Sequence, residues 1–112
     1  MPNNHNYHHE ETQEIVRIFR GIDQKYRYIR THLKFSSVEA DRRLLDYRKD
    51  INKIHQTLKV LNPILSYVIT QTFRTDGQIN NKWWKGIYSK STFYRIRLEA
   101  IQEFLREYRR LK

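Results

Sequence analysis

Cysteine is absent from the 112-residue chain, and only three glycines and two prolines interrupt it. The lack of cysteine excludes a disulfide scaffold, thiolate zinc fingers and thiol catalysis. An all-β fold needs more turn residues than this, so the composition favours helices. No apolar run approaches the roughly 18 residues of a membrane span, and the N-terminus is unlike a signal peptide. We therefore expect one small, cytoplasmic, all-α protein without a membrane segment.

The charge is strongly one-sided. Lys and Arg total 22 against 12 Asp and Glu, which gives a formal net charge of +10. Residues 82–112 hold nine of the basic and three of the acidic residues. This balance favours a polyanionic partner, with nucleic acid as the first candidate. A solvated basic helix is the simpler alternative, especially for residues 109–112, where cations suit the C-terminal end of a helix dipole.

Two heptad-like stripes dominate the N-terminal half. Residues 1–9 are polar and predict a flexible tail. Residues 10–35 and 36–61 each repeat apolar residues at steps of three and four, and Ser36 with Glu39 has the pattern of a capping box between them. Two such helices joined by a short loop predict an antiparallel hairpin arm over residues 10–61. The second stripe comprises Ala40, Leu44, Tyr47, Ile51, Ile54, Leu58 and Leu61.

The C-terminal half, residues 62–112, predicts a compact helix-turn-helix module. Asn62 and Pro63 are typical of a helix start. Asn80 or Asn81 is expected to cap a short helix whose Trp83, Trp84 and Ile87 form the core beneath it. Ser89 is expected to cap the last helix.

Gly21, in the N-terminal half, is expected to mark a bend or break in the first long helix.

A helix-turn-helix reads DNA with the first residues of its second helix, which lies in the major groove. Small hydroxyls and cations suit that position, and apolar residues must hold the helix on its core. Phe93, Ile96 and Ala100 are spaced to face inward. We expect Ser91, Thr92 and Arg95 to face bases. We expect Lys85, Lys90, Tyr94 and Arg97 to contact phosphates.

The string from Ile87 to Ile101, IYSKSTFYRIRLEAI, resembles the recognition-helix half of sigma-factor region 4, and more closely the ArpU-type phage regulators. The resemblance covers roughly residues 64–108. It implies a bacterial or phage transcription regulator that binds promoter DNA. By position, it places Ser91, Thr92 and Arg95 at the bases and Ser89 at the cap. The bulky Trp83 and Trp84 depart from the motif, and the heptad arms are not part of it.

Other readings of the sequence stay open. The heptad arms could instead bind RNA polymerase, a ribosomal component, another protein or a second copy of the chain. The basic surface could bind RNA, and Trp83 and Trp84 could stack on single-stranded bases, although at least one of them is expected in the core. The N-terminal histidines lack supporting ligands, so no metal or other cofactor is expected. No catalytic motif is present, and we expect no enzyme.

Overall fold

The computed structural model describes residues 4–32, 38–75 and 78–111, with side chains described from residue 9 except those of residues 32 and 38–41. Within these ranges the chain forms four helices: α1 (Asn4–His32), α2 (Val38–Val60), α3 (Pro63–Thr72) and α4 (Lys90–Arg110). One isolated antiparallel bridge joins Phe73 and Ile79. The prediction of an all-α fold is confirmed.

Helix α1 is longer and more continuous than the sequence suggested. It begins at Asn4, so the prediction of a flexible tail through residue 9 is wrong for residues 4–9. Extending an existing helix costs little per residue, even through polar residues. The helix also passes through Gly21 without a break, because Phe19 and Ile22 are buried on either side of it. The predicted capping serine, Ser36, lies outside the described residues.

Helices α1 and α2 pack side by side in opposite directions. Lys25 on α1 pairs with Asp50 on α2 at 2.9 Å. Further along α1, Tyr28 meets Tyr47, an earlier residue of α2, with ring centroids 5.1 Å apart. A later residue on one helix therefore meets an earlier residue on the other, as in an antiparallel pair.

One core joins all four helices. Phe104 on α4 is fully buried and lies 5.7 Å from the ring of Phe19 on α1, which in turn lies 6.2 Å from Phe73 at the end of α3. Helix α4 contacts each of the other three helices. Among the described side chains of α1 and α2, the buried ones are Thr12, Ile15, Phe19, Ile22, Ile51, Ile54 and Thr57.

The far end of the α1–α2 pair projects from this core. Among the described side chains of residues 23–50, none is a buried hydrophobic. The molecule is accordingly elongated, measuring 53 × 30 × 24 Å. Its radius of gyration of 16.1 Å exceeds the roughly 13–14 Å expected of a compact chain of this length.

Turns replace the short helix predicted around Trp83 and Trp84, so that prediction is wrong. Residues 83–87 form consecutive turns, in which the Trp84 carbonyl accepts from the amides of Ile87 and Tyr88 at 3.0 and 3.1 Å. Gly86, whose φ of +87° lies in the left-handed region, prevents a right-handed helix from continuing through this segment. The helix before α4 is therefore α3, and the first helix of the predicted helix-turn-helix is missing.

None of the helices in the described part of the chain is both long and apolar enough to cross a membrane.

Candidate nucleic-acid interface

The first turns of α4 rest on an aromatic cluster formed by Trp83, Trp84 and Phe93. Phe93 is fully buried. Trp84 stacks on it at 4.9 Å between centroids, and Trp83 meets it edge-on at 5.6 Å. The Trp83 indole N–H donates to the buried Thr72 hydroxyl at 3.0 Å. These contacts fix the N-terminal half of α4 against the end of α3.

The contacts of this cluster determine how far each of the two tryptophans is buried. Trp84 is 9% exposed and belongs to the core, as predicted for at least one of the pair. Trp83 is half-buried and also contacts Tyr67 and Tyr88 edge-on. Ile87 is 61% exposed, so its predicted place in the core is wrong. With Trp84 covered on the face that stacks on Phe93, the pair forms a support for α4 rather than an open stacking platform.

Ser89 caps α4, as predicted. Its backbone is extended, and its Oγ accepts from the Thr92 amide at 3.3 Å while lying 2.8 Å from the Thr92 hydroxyl. Asn62 caps α3 in the predicted way, accepting from the Ile64 amide at 2.9 Å. The cap sets where α4 begins and therefore which side chains its first turn presents.

Four of the predicted contact residues lie on exposed positions around the start of α4: Lys85, Lys90, Ser91 and Arg95. Ser91 and Arg95 are four residues apart and share the face opposite Phe93 and Ala100. The first turn carries no acidic residue. Lys82, at the start of the basic stretch that ends at Arg97, is also exposed.

Three other predicted contact residues are engaged within the protein. Thr92 is half-buried and hydrogen-bonded to the cap. The Arg97 guanidinium lies 5.7 Å from the Tyr94 ring, which is 39% exposed. Burial lowers the pKa of Arg97 from its ordinary value, and the nearby Tyr94 opposes that shift. Arg97 is thus the least accessible of the predicted phosphate contacts.

The two ends of α4 differ in how their cations are paired. Near the C-terminus, Arg106 pairs with Glu103, Arg109 with Glu14 of α1, and Arg110 with Glu107. Around the N-terminus, Lys85, Lys90 and Arg95 have no carboxylate partner within the described residues. Glu99 is exposed one turn after Arg95 and marks the limit of this carboxylate-free surface. We call the surface formed by Lys82, Lys85, Lys90, Ser91 and Arg95 the α4 basic surface.

A second exposed basic face was missed by counting charge per segment. Arg17, Arg20, Gln24, Arg27 and Thr31 recur at steps of three and four along α1, and each is exposed. The spacing could have revealed it, because residues at these steps share one side of a helix.

No known protein family, curated protein or solved structure matches this chain.

Proposed function

We propose that the chain binds duplex DNA through the α4 basic surface and acts in transcription regulation. Lys85 and Lys90 bind backbone phosphates, while Ser91 and Arg95 approach base edges in the major groove; Thr92, predicted with them, is held by the Ser89 cap instead. This division follows the general pattern in which phosphate contacts position a protein and base contacts give specificity. The resemblance to sigma-factor region 4 supports the same assignment.

The observation that carries the proposal is the contrast in charge pairing along α4. Cations that serve only as a solvated or stabilising face usually find carboxylates three or four residues away, as Arg106 and Arg110 do. Lys85, Lys90 and Arg95 are exposed and form no ion pair within the described residues, although Glu99 follows Arg95 by four residues. Unpaired cations beside a helix N-terminus, where the dipole also favours negative charge, suit phosphate groups.

The support beneath α4 is also suited to this role. A helix that reads bases must keep its orientation on insertion into a groove. Phe93, held between Trp83 and Trp84, gives the N-terminal half of α4 a rigid base. The helix-turn-helix itself is not part of the proposal, because residues 83–87 form turns.

Two triple variants with the same change in net charge test the proposal. Lys85→Gln/Lys90→Gln/Arg95→Gln removes unpaired cations, and Arg106→Gln/Arg109→Gln/Arg110→Gln removes paired ones. Binding to a pool of random-sequence duplexes is measured by fluorescence anisotropy over a salt series. Each lost phosphate contact lowers the slope of log affinity against log salt by about 0.9. We expect a marked loss of slope in the first variant and little change in the second.

Equal losses in the two variants would assign binding to overall charge and contradict the proposal, as would an absence of DNA binding by the wild type. Base reading is tested separately on a duplex selected from the pool. Arg95→Ala should weaken binding to that duplex by about 1–3 kcal/mol if it makes a bidentate guanine contact. Its effect on unselected duplexes should be smaller.

A protein-binding role for the α1–α2 pair is the second candidate. Leu45 and Tyr26, on the projecting end, are 55% and 42% exposed. A pull-down from bacterial extract with and without nuclease separates the candidates. A partner such as RNA polymerase that is retained after nuclease treatment would favour the second one.

A further inference from the structure

The exposed face of α1 made by Arg17, Arg20, Gln24, Arg27 and Thr31 has no role in the function proposed above. We call it the α1 basic face. From Arg17 to Thr31 it spans roughly 21 Å at 1.5 Å per residue. It lies on the side of the helix opposite Ile15, Phe19 and Ile22, which are all buried. Each of its five side chains can donate a hydrogen bond, and none is apolar or acidic.

Charge on this face is poorly compensated. Arg17 and Arg20, three residues apart, have no ion pair within the described part of the chain. Arg27 meets Asp23 only at 3.4 Å, and its side chain remains 77% exposed. Like charges at this spacing destabilise a helix. An external anion along the face would relieve that repulsion, whereas Glu10 and Glu11 limit the face toward the N-terminus.

The α1 basic face and the α4 basic surface look out from different sides of the molecule. Phe19 of α1 and Phe104 of α4 point toward each other through the core, with ring centroids 5.7 Å apart. The outward faces of the two helices therefore point away from each other. One straight duplex bound to α4 cannot also lie along the α1 basic face.

We propose that the α1 basic face binds the phosphate backbone of a second DNA duplex, so that one chain bridges two DNA segments. The inference rests on the proposed function, because it takes the α4 surface as the first DNA contact. Arginine suits phosphate, since its planar guanidinium can donate two parallel hydrogen bonds. Gln24 and Thr31 add neutral donors. A face of this kind holds backbone without reading sequence.

A bridging assay with the full chain tests the inference. One duplex is immobilised on beads, protein is added, and capture of a fluorescent second duplex of unrelated sequence is measured after washing. We expect the wild type to capture the second duplex. Arg17→Gln/Arg20→Gln/Arg27→Gln should lose this capture while still binding the immobilised duplex. Arg106→Gln/Arg109→Gln/Arg110→Gln, with the same change in charge, should retain both activities.

Four outcomes would overturn the inference. Binding of one duplex without capture of a second would overturn it and leave the proposed function standing. No binding of either duplex would overturn both. Capture that persists in the α1 variant would assign bridging to association between chains. Equal loss in the control variant would assign it to net charge.

Discussion

The N-terminal and C-terminal halves of α4 hold the same number of basic residues in very different surroundings. Lys90, Arg95 and Arg97 lie in the first half, and Arg106, Arg109 and Arg110 in the second. All three in the second half form ion pairs, whereas none in the first half has a carboxylate partner within the described residues. A count of charges cannot separate these halves. The absence of ion pairs, more than the density of basic residues, is therefore the observation on which the proposed DNA surface rests.

Each half of α4 also rests on a buried phenylalanine, and removing it should give the largest effect on stability. Phe93→Ala and Phe104→Ala should each lower the free energy of unfolding by about 3–5 kcal/mol, since both side chains are fully buried. Urea denaturation followed by circular dichroism measures the loss. Phe93→Ala alone should also change the near-UV signal of the tryptophans, because it contacts both indoles. An unchanged tryptophan signal would contradict the rigid support assigned to the first half.

Gly86 positions the turn that leads into the first half of α4, and Gly86→Ala should lower the free energy of unfolding. At φ +87° nothing lies within 4 Å of an added Cβ, so the cost is backbone strain of about 1–2 kcal/mol. Gly21, inside α1, provides the opposite control. Its added Cβ would make ordinary contact with the Lys25 side chain at 3.8 Å. Gly21→Ala should raise the unfolding free energy by about 0.5–1 kcal/mol. Thermal denaturation that shifts both variants in one direction would contradict this.

Removing the N-cap of α4 should have a smaller effect on the unfolding free energy than removing a buried phenylalanine. Ser89→Ala removes the acceptor for the Thr92 amide and should lower the unfolding free energy by about 0.5–2 kcal/mol. Ser91→Ala, two residues later and exposed, should change it by no more than about 0.5 kcal/mol. Equal effects of the two substitutions in urea denaturation would show that Ser89 does not act as the cap.

Local signals in the sequence predicted the parts of the fold that depend on neighbouring residues. The apolar repeats identified the long helices, and Asn62 and Ser89 identified two helix starts. The turns at residues 83–87 were missed because Trp83 is anchored by Thr72, eleven residues away, and because the left-handed Gly86 interrupts a helical pattern. The α1 basic face was missed because charge was counted along the chain rather than around the helix.

The ion pairs of the α4 arginines were the feature least predictable from the sequence. Glu103 and Glu107 lie one turn from their arginines, so those pairs are readable from spacing. The partner of Arg109 is Glu14, which is 95 residues away in the chain. Only the packing of α1 on α4 brings them together, so no local pattern could show that the second half of α4 is neutralised while the first is not.

The smallest predicted effect tests this difference in pairing directly, through stability alone. Arg109→Gln removes the pair with Glu14, in which the two side chains are 58% and 32% exposed. Exposed pairs contribute about 0.2–1 kcal/mol, so the unfolding free energy should fall by that amount at low salt. Arg95→Gln removes a cation with no ion pair from a chain of net charge +10, so it should leave stability unchanged or raise it slightly, because self-repulsion decreases. High salt screens both effects, and the two variants should then converge.

The control is Glu14→Gln with Arg109→Gln in a double-mutant cycle, which isolates the pair from the loss of either side chain. A destabilisation by Arg95→Gln as large as that by Arg109→Gln would mean that Arg95 has a stabilising partner of its own, and the contrast between the two halves of α4 would no longer hold.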